Sequence, residues 1–183
     1  MIRAFVAIAI PEPMAGTMEA LQTGLDFGRL VPRENFHLTL SFLGEYPEPV
    51  LEDLHAGLNL IAEPMFDISI QGLGTFGDAS PHHLFAEVTP EPALTALHKK
   101  VRRAARDAGI ELAHQRFHPH VTLARFGRGL HGDDLTKLQA HIARRMGMAT
   151  GSFTATGFTL FESRLTSGTP QYTPLADYDL RIG

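Results

Sequence analysis

The sequence predicts an α+β fold made of two pseudo-symmetric α/β lobes, duplicated α-β-α-β-β units with a central cleft between antiparallel-type sheets. Three observations carry that expectation. The phrase H-x-T-x with apolar x occurs twice, as His37-Leu38-Thr39-Leu40 and as His120-Val121-Thr122-Leu123. Each copy lies in an apolar run of strand character. Proline-opened helical stripes begin near positions 13 and 92, so helix and motif recur at a nearly constant offset.

The elements follow in order. Ile2 to Ile10 is a buried strand. Pro11-Glu12-Pro13 opens a helix, as proline suits a first turn, and Met14, Met18, Leu21 and Leu25 form its stripe. Phe36 to Leu43 is a strand ended by Gly44. Pro47-Glu48-Pro49 opens a second helix with Leu51, Leu54, Leu58 and Ile61 on one face. Phe66, Ile68 and Ile70 alternate in a strand, Gly72-Leu73-Gly74 makes a turn, and Leu84 to Val88 is another strand. Pro90 and Pro92 open a third helix, striped by Leu94, Leu97, Val101, Ala104 and Ala108 and stopped by Gly109. Phe117 to Phe126 is the next strand. Asp133 and Asp134 start a fourth helix, and Phe153 to Phe161 and Tyr172 to Leu180 close the chain as two strands. The expectation is one bilobal domain over 1–183. Its lobes come from approximately 11–90 and 91–181, and strand exchange between them is allowed.

The chain of 183 residues is 44% hydrophobic and 20% charged, long enough to bury well over half of its unfolded surface. It contains no cysteine, which excludes disulfides, thiolate metal sites and thiol catalysis and points to a reducing cytoplasm. The short apolar start ends at a proline and lacks the basic region and cleavage site of a signal peptide. No segment has the ~18 apolar residues of a membrane span. A soluble monomer with no membrane partner is expected. Net charge is −4, so there is no global basic field of the kind broad nucleic-acid binders carry. Between 99 and 128, however, Lys99, Lys100, Arg102, Arg103, Arg106, Arg116, Arg125 and Arg128 face only Asp107 and Glu111. This stretch reads either as a solvated helix face or as a positive wall beside an anionic substrate.

Side chains on a strand alternate faces, about 3.3 Å of rise per residue. Phe36, Leu38, Leu40 and Phe42 therefore share the core face, while His37, Thr39 and Ser41 share the other. Val121 and Leu123 likewise point inward, with His120, Thr122 and Ala124 opposite. If the lobes pack with these outer faces opposed, two imidazoles and two hydroxyls line one cleft. An imidazole titrating near 6.5 serves as base in one form and acid in the other. Threonine hydroxyls donate to phosphate oxygens without adding charge. The set suits proton transfer at both ends of an in-line displacement at phosphorus, with no metal and no cofactor. One H-x-T in a strand means little; two in equivalent positions make a site.

The paired motifs resemble those of the 2H phosphoesterases, and the surrounding sequence is similar to the bacterial and archaeal RNA 2′,3′-cyclic phosphodiesterases, historically called 2′-5′ RNA ligases. Arg3-Ala4-Phe5-Val6-Ala7-Ile8, Glu34 to Gly44, Gly72 to Phe76, Phe117 to Arg125 and Tyr172 to Leu175 carry the likeness. The resemblance implies hydrolysis of 2′,3′-cyclic phosphate on RNA ends or nucleotides to a 2′-phosphomonoester, and possible reversal as 2′-5′ ligation. It implies His37 and His120 as acid and base, with Thr39 and Thr122 on the phosphate. The directional expectation is His120 as base and His37 as acid; pseudo-symmetry leaves the reverse open. Arg125 becomes the phosphate-contacting arginine, which strand parity permits only at a bulge or strand end. Phe85 takes the place of an aromatic that either stacks on a base or packs in the core. The alternatives are a nucleotide or RNA-end binding module without turnover, and a phosphodiesterase for another cyclic ester.

Other histidines are set aside. His118 and His120 have metal-like spacing but no fixed third ligand, and His118 is expected at the periphery. His82 and His83 read as an exposed turn, and His55, His98, His131 and His141 as surface positions.

Overall fold

The computed structural model describes residues 1–114, 116–166 and 168–182. Along the chain run β1 (Ile2–Ala9), α1 (Glu12–Gln22), β2 (Arg29–Leu30), a 3-10 turn (Arg33–Asn35), β3 (His37–Tyr46), α2 (Glu48–Asn59), β4 (Phe66–Phe76) and β5 (His83–Val88). They are followed by α3 (Pro92–Asp107), β6 (His120–Arg125), α4 (Gly132–Arg145), β7 (Ala149–Ala155), β8 (Gly157–Arg164) and β9 (Gln171–Asp179). The first three helices each carry proline in the first turn, where its missing N–H costs nothing. Their predicted stripes are buried: Met14, Met18 and Leu21; Leu51, Leu54 and Leu58; Leu94, Leu97 and Val101.

The strands form one sheet, not two facing ones. Its order is β7-β4-β5-β6-β3-β1-β8-β9, with β2 beside β6, and every pairing between strands is antiparallel. The sheet-forming halves are not contiguous in the chain, and strands are exchanged between the two repeats. β4 and β5 join β6 and β7, while β8 and β9 join β1 and β3. The helices are exchanged as well: α1 packs beneath β6 and β7, and α3 beneath β3. The helix that precedes each H-x-T strand thus supports the other one. Leaving β2 aside, the chain crosses from one half of the sheet to the other twice, through α2 between β3 and β4 and directly between β7 and β8.

The predicted strand 153–161 is two strands separated by Thr156. β7 pairs with β4 at one edge, and β8 pairs with β1 near the other. A one-residue link between them requires the sheet to curl into a half-barrel. Backbone bonds close the gap: Leu180 N–H donates to Thr156 O at 2.8 Å and Arg181 N–H to Glu63 O at 2.8 Å. Gly157 allows the approach, since a Cβ there would meet Tyr178 O at 2.7 Å.

Gly72-Leu73-Gly74 is not a turn between strands but an irregularity inside β4, whose register shifts between Ile70 and Leu73. Gly72 has φ +72°, the left-handed conformation that a bulge favours. The core lies between the helices and one face of the sheet. The other face, free of helices, carries the histidines. No helix among the described residues is long and apolar enough to cross a membrane.

Gly74 makes room for Phe85, whose ring atoms would lie 2.6 Å from an added Cβ. Gly74→Val is therefore expected to lower stability by about 1–3 kcal/mol through overpacking, read as a lower urea midpoint at unchanged m-value.

Candidate functional site

β3 and β6 are adjacent, paired antiparallel at Leu38↔Val121. Both residues are fully buried toward the helices. One residue further on either side, the register sets His37 across from Thr122 and Thr39 across from His120. All four are partly exposed on the open face. The expected faces are thus side by side on one sheet rather than opposed across a cleft, because their strands are neighbours. Histidines occupy one diagonal of a four-residue patch and threonines the other. Strand geometry separates the two histidine Cα atoms by about 8 Å.

Both imidazoles are oriented in the same way. His37 Nδ1 bonds Asn35 O at 2.7 Å, and His120 Nδ1 bonds His118 O at 2.7 Å. A carbonyl oxygen only accepts, so each Nδ1 carries hydrogen and each neutral ring keeps its lone pair on Nε2. The Asn35 carbonyl is itself held, because Asn35 Nδ2 donates to Pro170 O at 2.8 Å. Neither Nε2, nor the hydroxyl of Thr39 or Thr122, bonds another described residue.

Aromatic rings wall both histidines. His37 lies 4.9 Å from Phe5 and meets Tyr172 edge-on at 5.2 Å; His120 lies 4.8 Å from Phe76 and 5.2 Å from Phe85. Burial pushes His37 down to about 4, and the positive charges of Arg125 and His120 add to the effect. Burial likewise lowers His120, with His118 and Arg125 contributing the same way. Both imidazoles are neutral near pH 7 in the free protein.

Each motif ends in a bulge. The β1–β3 register passes from Val6↔Ser41 to Ala7↔Thr39, skipping Leu40. The β5–β6 register passes from Leu84↔Ala124 to Phe85↔Thr122, skipping Leu123. Leu40 and Ser41 are both buried, as are Leu123 and Ala124. The extra residue reverses parity beyond it. Arg125 is thereby returned to the histidine face, where it shares a pocket with His37, Thr122, Arg29 and Tyr172. The bulge that its predicted role required is present. The same reversal overturns the placement of Phe42 in the core and of Ser41 and Ala124 on the reaction face. Phe42 is 66% exposed and borders a groove of about 500 Å³ with Phe5, Arg125 and Tyr172.

Phe85 is 2% exposed beneath Phe76 and His120. No ring face is open to a base, so its part is packing. His83 is not merely an exposed turn residue: its Nε2 accepts a bond from Arg125 Nη1 at 3.1 Å. His98 and His141 are not plain surface positions. His98 donates to Leu40 O at 2.7 Å, and His141, 1% exposed, donates to Leu21 O at 2.8 Å. His118 is half exposed, but its carbonyl orients His120. Of the basic stretch, Arg125 enters the site, while α3 packs on the core side of β3 and turns its own cations to solvent, where Lys100 pairs with Glu63 and Arg103 with Asp107. Among the described residues no three His, Asp or Glu side chains gather where they could hold one metal ion. Phe42, Tyr172 and His83 were missed from sequence. The resemblance pointed to Arg125; a signal for Phe42 lay in its matching place, five residues after its motif histidine as Arg125 is after the other.

A family model described as the 2′-5′ RNA ligase superfamily matches residues 10–166. An RNA 2′,3′-cyclic phosphodiesterase of Geobacillus stearothermophilus is 29% identical over 86% of this chain, which spans 49% of that relative's length. One from Aeropyrum pernix is 35% identical over 80% of this chain and 83% of its own. The crystal structure of E. coli LigT complexed with 3′-AMP superposes with a TM-score of 0.80 at 26% identity, covering 98% of both chains.

The depressed imidazoles carry a pH signature. Unfolded, His37 takes up a proton below about 6.5; folded, it does so only near 4. The unfolded state binds more protons in that window, so the stability contributed at neutral pH is lost as pH falls through it. Urea denaturation at pH 7 and pH 4.5 is expected to give a smaller acid loss for His37→Gln than for the wild type.

Proposed function

Since the chain belongs to the 2′-5′ RNA ligase superfamily, we propose that it hydrolyses 2′,3′-cyclic phosphate ends of RNA or nucleotides to 2′-phosphomonoesters, using His37 and His120 as general acid and base. One observation carries the reading. Two imidazoles with identical Nδ1–carbonyl bonds present free Nε2 atoms on one face, each beside the other motif's threonine. The name shared by the Geobacillus and Aeropyrum relatives supports the same substrate class.

The diagonal arrangement fits in-line chemistry. With phosphorus over the centre of the patch, the histidines flank the axis of entering and leaving oxygens. The threonine hydroxyls then lie on the crossing diagonal, toward the equatorial oxygens. One neutral Nε2 takes a proton from water as its oxygen bonds phosphorus; the other, protonated, gives one to the 3′ oxygen as the P–O3′ bond breaks. Both imidazoles are neutral when the site is empty, so the acid must be charged by its substrate. A phosphodiester anion between them favours the imidazolium form and counteracts burial. Arg125 supplies a fixed positive charge to the phosphate oxygens. His83 aims that guanidinium through the 3.1 Å bond. The geometry treats the histidines alike, so the same groups serve attack by water and attack by a 5′ hydroxyl on the cyclic phosphate, each displacing the 3′ oxygen, the second leaving a 2′-5′ linkage.

Phe42 and Tyr172 are the rings available to a base, and this role passes to them from Phe85. That the LigT structure holds 3′-AMP supports a nucleotide-sized occupant of the groove.

The protein is incubated with EDTA and a 2′,3′-cyclic mononucleotide, with the product followed by phosphorus NMR. A 2′-phosphomonoester is expected at an undiminished rate, and loss of turnover to EDTA would remove the metal-free scheme. His37→Ala and His120→Ala are each expected to lower kcat by about 10²–10⁴-fold; unaltered activity in either rejects the two-histidine mechanism. Binding without turnover by the wild type would favour the binding-module alternative. Phe42→Ala is expected to raise KM, with kcat retained, by the equivalent of about 1–3 kcal/mol of base stacking.

A further inference from the structure

The two bulges are held by side chains that the reaction scheme does not use. The carbonyl of each bulged residue accepts a bond from a helix side chain. Leu123 O receives Gln22 Nε2 at 2.8 Å and Val31 N–H at 2.8 Å. Leu40 O receives His98 Nδ1 at 2.7 Å. These carbonyls occupy the same position in the two motifs, the last residue of each H-x-T-x.

The donors also correspond. Gln22 closes α1 and His98 lies within α3, the leading helix of each repeat. Each reaches the motif of the other repeat. Each also grips the segment entering its own repeat's strand. The Gln22 amide donates a second bond to Val31 O at 2.7 Å, on the way to His37. The His98 ring stacks flat on Phe117 at 3.8 Å and 9°, on the way to His120. Gln22 is 8% exposed, and neither residue lines the pocket of His37, Thr122 and Arg125.

We propose that Gln22 and His98 are positioning residues, a pair of cross-braces that fix the bulges and so hold Arg125 and Phe42 on the reaction face. Gln22 acts through the Leu123 bulge on Arg125, the anion contact. His98 acts through the Leu40 bulge on Phe42, the open ring. Without the brace, Leu40 O loses its side-chain donor and Leu123 O keeps only Val31 N–H; a bulge so released slips by one residue, and that slip turns the guanidinium or ring toward the core face. The proposal rests on the phosphodiesterase reading for its kinetic arm and stands apart from it for its binding arm.

Two double-mutant cycles test it, using cytidine 2′,3′-cyclic phosphate. Gln22→Leu is expected to lower kcat/KM about tenfold, equivalent to about 1.4 kcal/mol. Added to Arg125→Ala, it should cost nothing further, because the residue through which it acts is gone. His98→Leu is expected to raise KM with kcat retained, and its effect should vanish in Phe42→Ala. A general loss of stability would instead add to each partner's effect, and additive losses in both cycles overturn the proposal. If Gln22→Leu does not fold, Gln22→Met keeps the side-chain length while removing the donor. If the wild type turns over no cyclic ester, the functional reading falls by itself. The brace is then judged by inorganic phosphate binding, followed through the histidine ¹⁵N shifts. Affinity about tenfold weaker in Gln22→Leu, with no additional loss over Arg125→Ala, sustains it; unchanged affinity overturns it.

Discussion

The register pair Leu38↔Val121 is the constraint from which the rest of the site follows. It joins two four-stranded halves along a seam so short that β2, not β3, borders β6 at Arg29↔Arg125 and Leu30↔Ala124. Two buried aliphatic side chains anchor the seam from the helix side. On the opposite face the same register sets each histidine beside the other motif's threonine. A slip of one residue would turn one strand over, burying its imidazole and exposing Leu38 or Val121. Hydrophobic burial thus fixes the pairing, and the pairing fixes the polar geometry.

The aromatic walls act on protonation. Phe5 and Tyr172 around His37, and Phe76 and Phe85 around His120, exclude water from one side of each imidazole and penalise its charged form. Polar groups in such surroundings would rotate to satisfy themselves, but the Nδ1 bonds to Asn35 O and His118 O leave one orientation. The charge of the empty site therefore rests on arginines, Arg125 and Arg29, and not on the imidazoles. An arriving phosphodiester brings the charge that makes an imidazolium favourable, so under the proposed mechanism proton uptake is coupled to substrate binding.

Alternation made the first three residues of each motif legible in the sequence. His37, Thr39, His120 and Thr122 fall on one face because leucine or valine between them must be buried. Helix stripes were equally legible, since Leu51, Leu54 and Leu58 have no other way to leave water. Legibility failed at the fourth motif residue. Leu40-Ser41 and Leu123-Ala124 contain nothing that signals a bulge, since each carries side chains that a regular strand would accept. What makes the bulges is tertiary: a glutamine and a histidine arriving from helices of the opposite repeat. His98 was read as a surface position for the same reason, because its partner Leu40 lies 58 residues away. The exchange of helices between halves escaped, and that of strands was allowed for without being specified, as a repeated order of elements fixes succession along the chain but not which copy packs on which.

The departures from symmetry give the site its polarity. Five residues after each histidine, an equivalent bulge returns a side chain to the reaction face, in one strand a guanidinium and in the other a phenyl ring. Arg125 and Phe42 border the same groove, so a symmetric pair of imidazoles is framed by one cationic and one aromatic wall. A cyclic nucleotide has the matching asymmetry, with an anionic phosphorus at one end and a flat base at the other. Two identical halves could not tell those ends apart, and productive and reversed orientations would bind alike. Under the proposed function, divergence at this pair of positions orients the nucleotide, and with it decides which imidazole stands behind the entering oxygen. On that mechanism the repeated halves supply the chemistry, and the residue that follows each bulge supplies its direction.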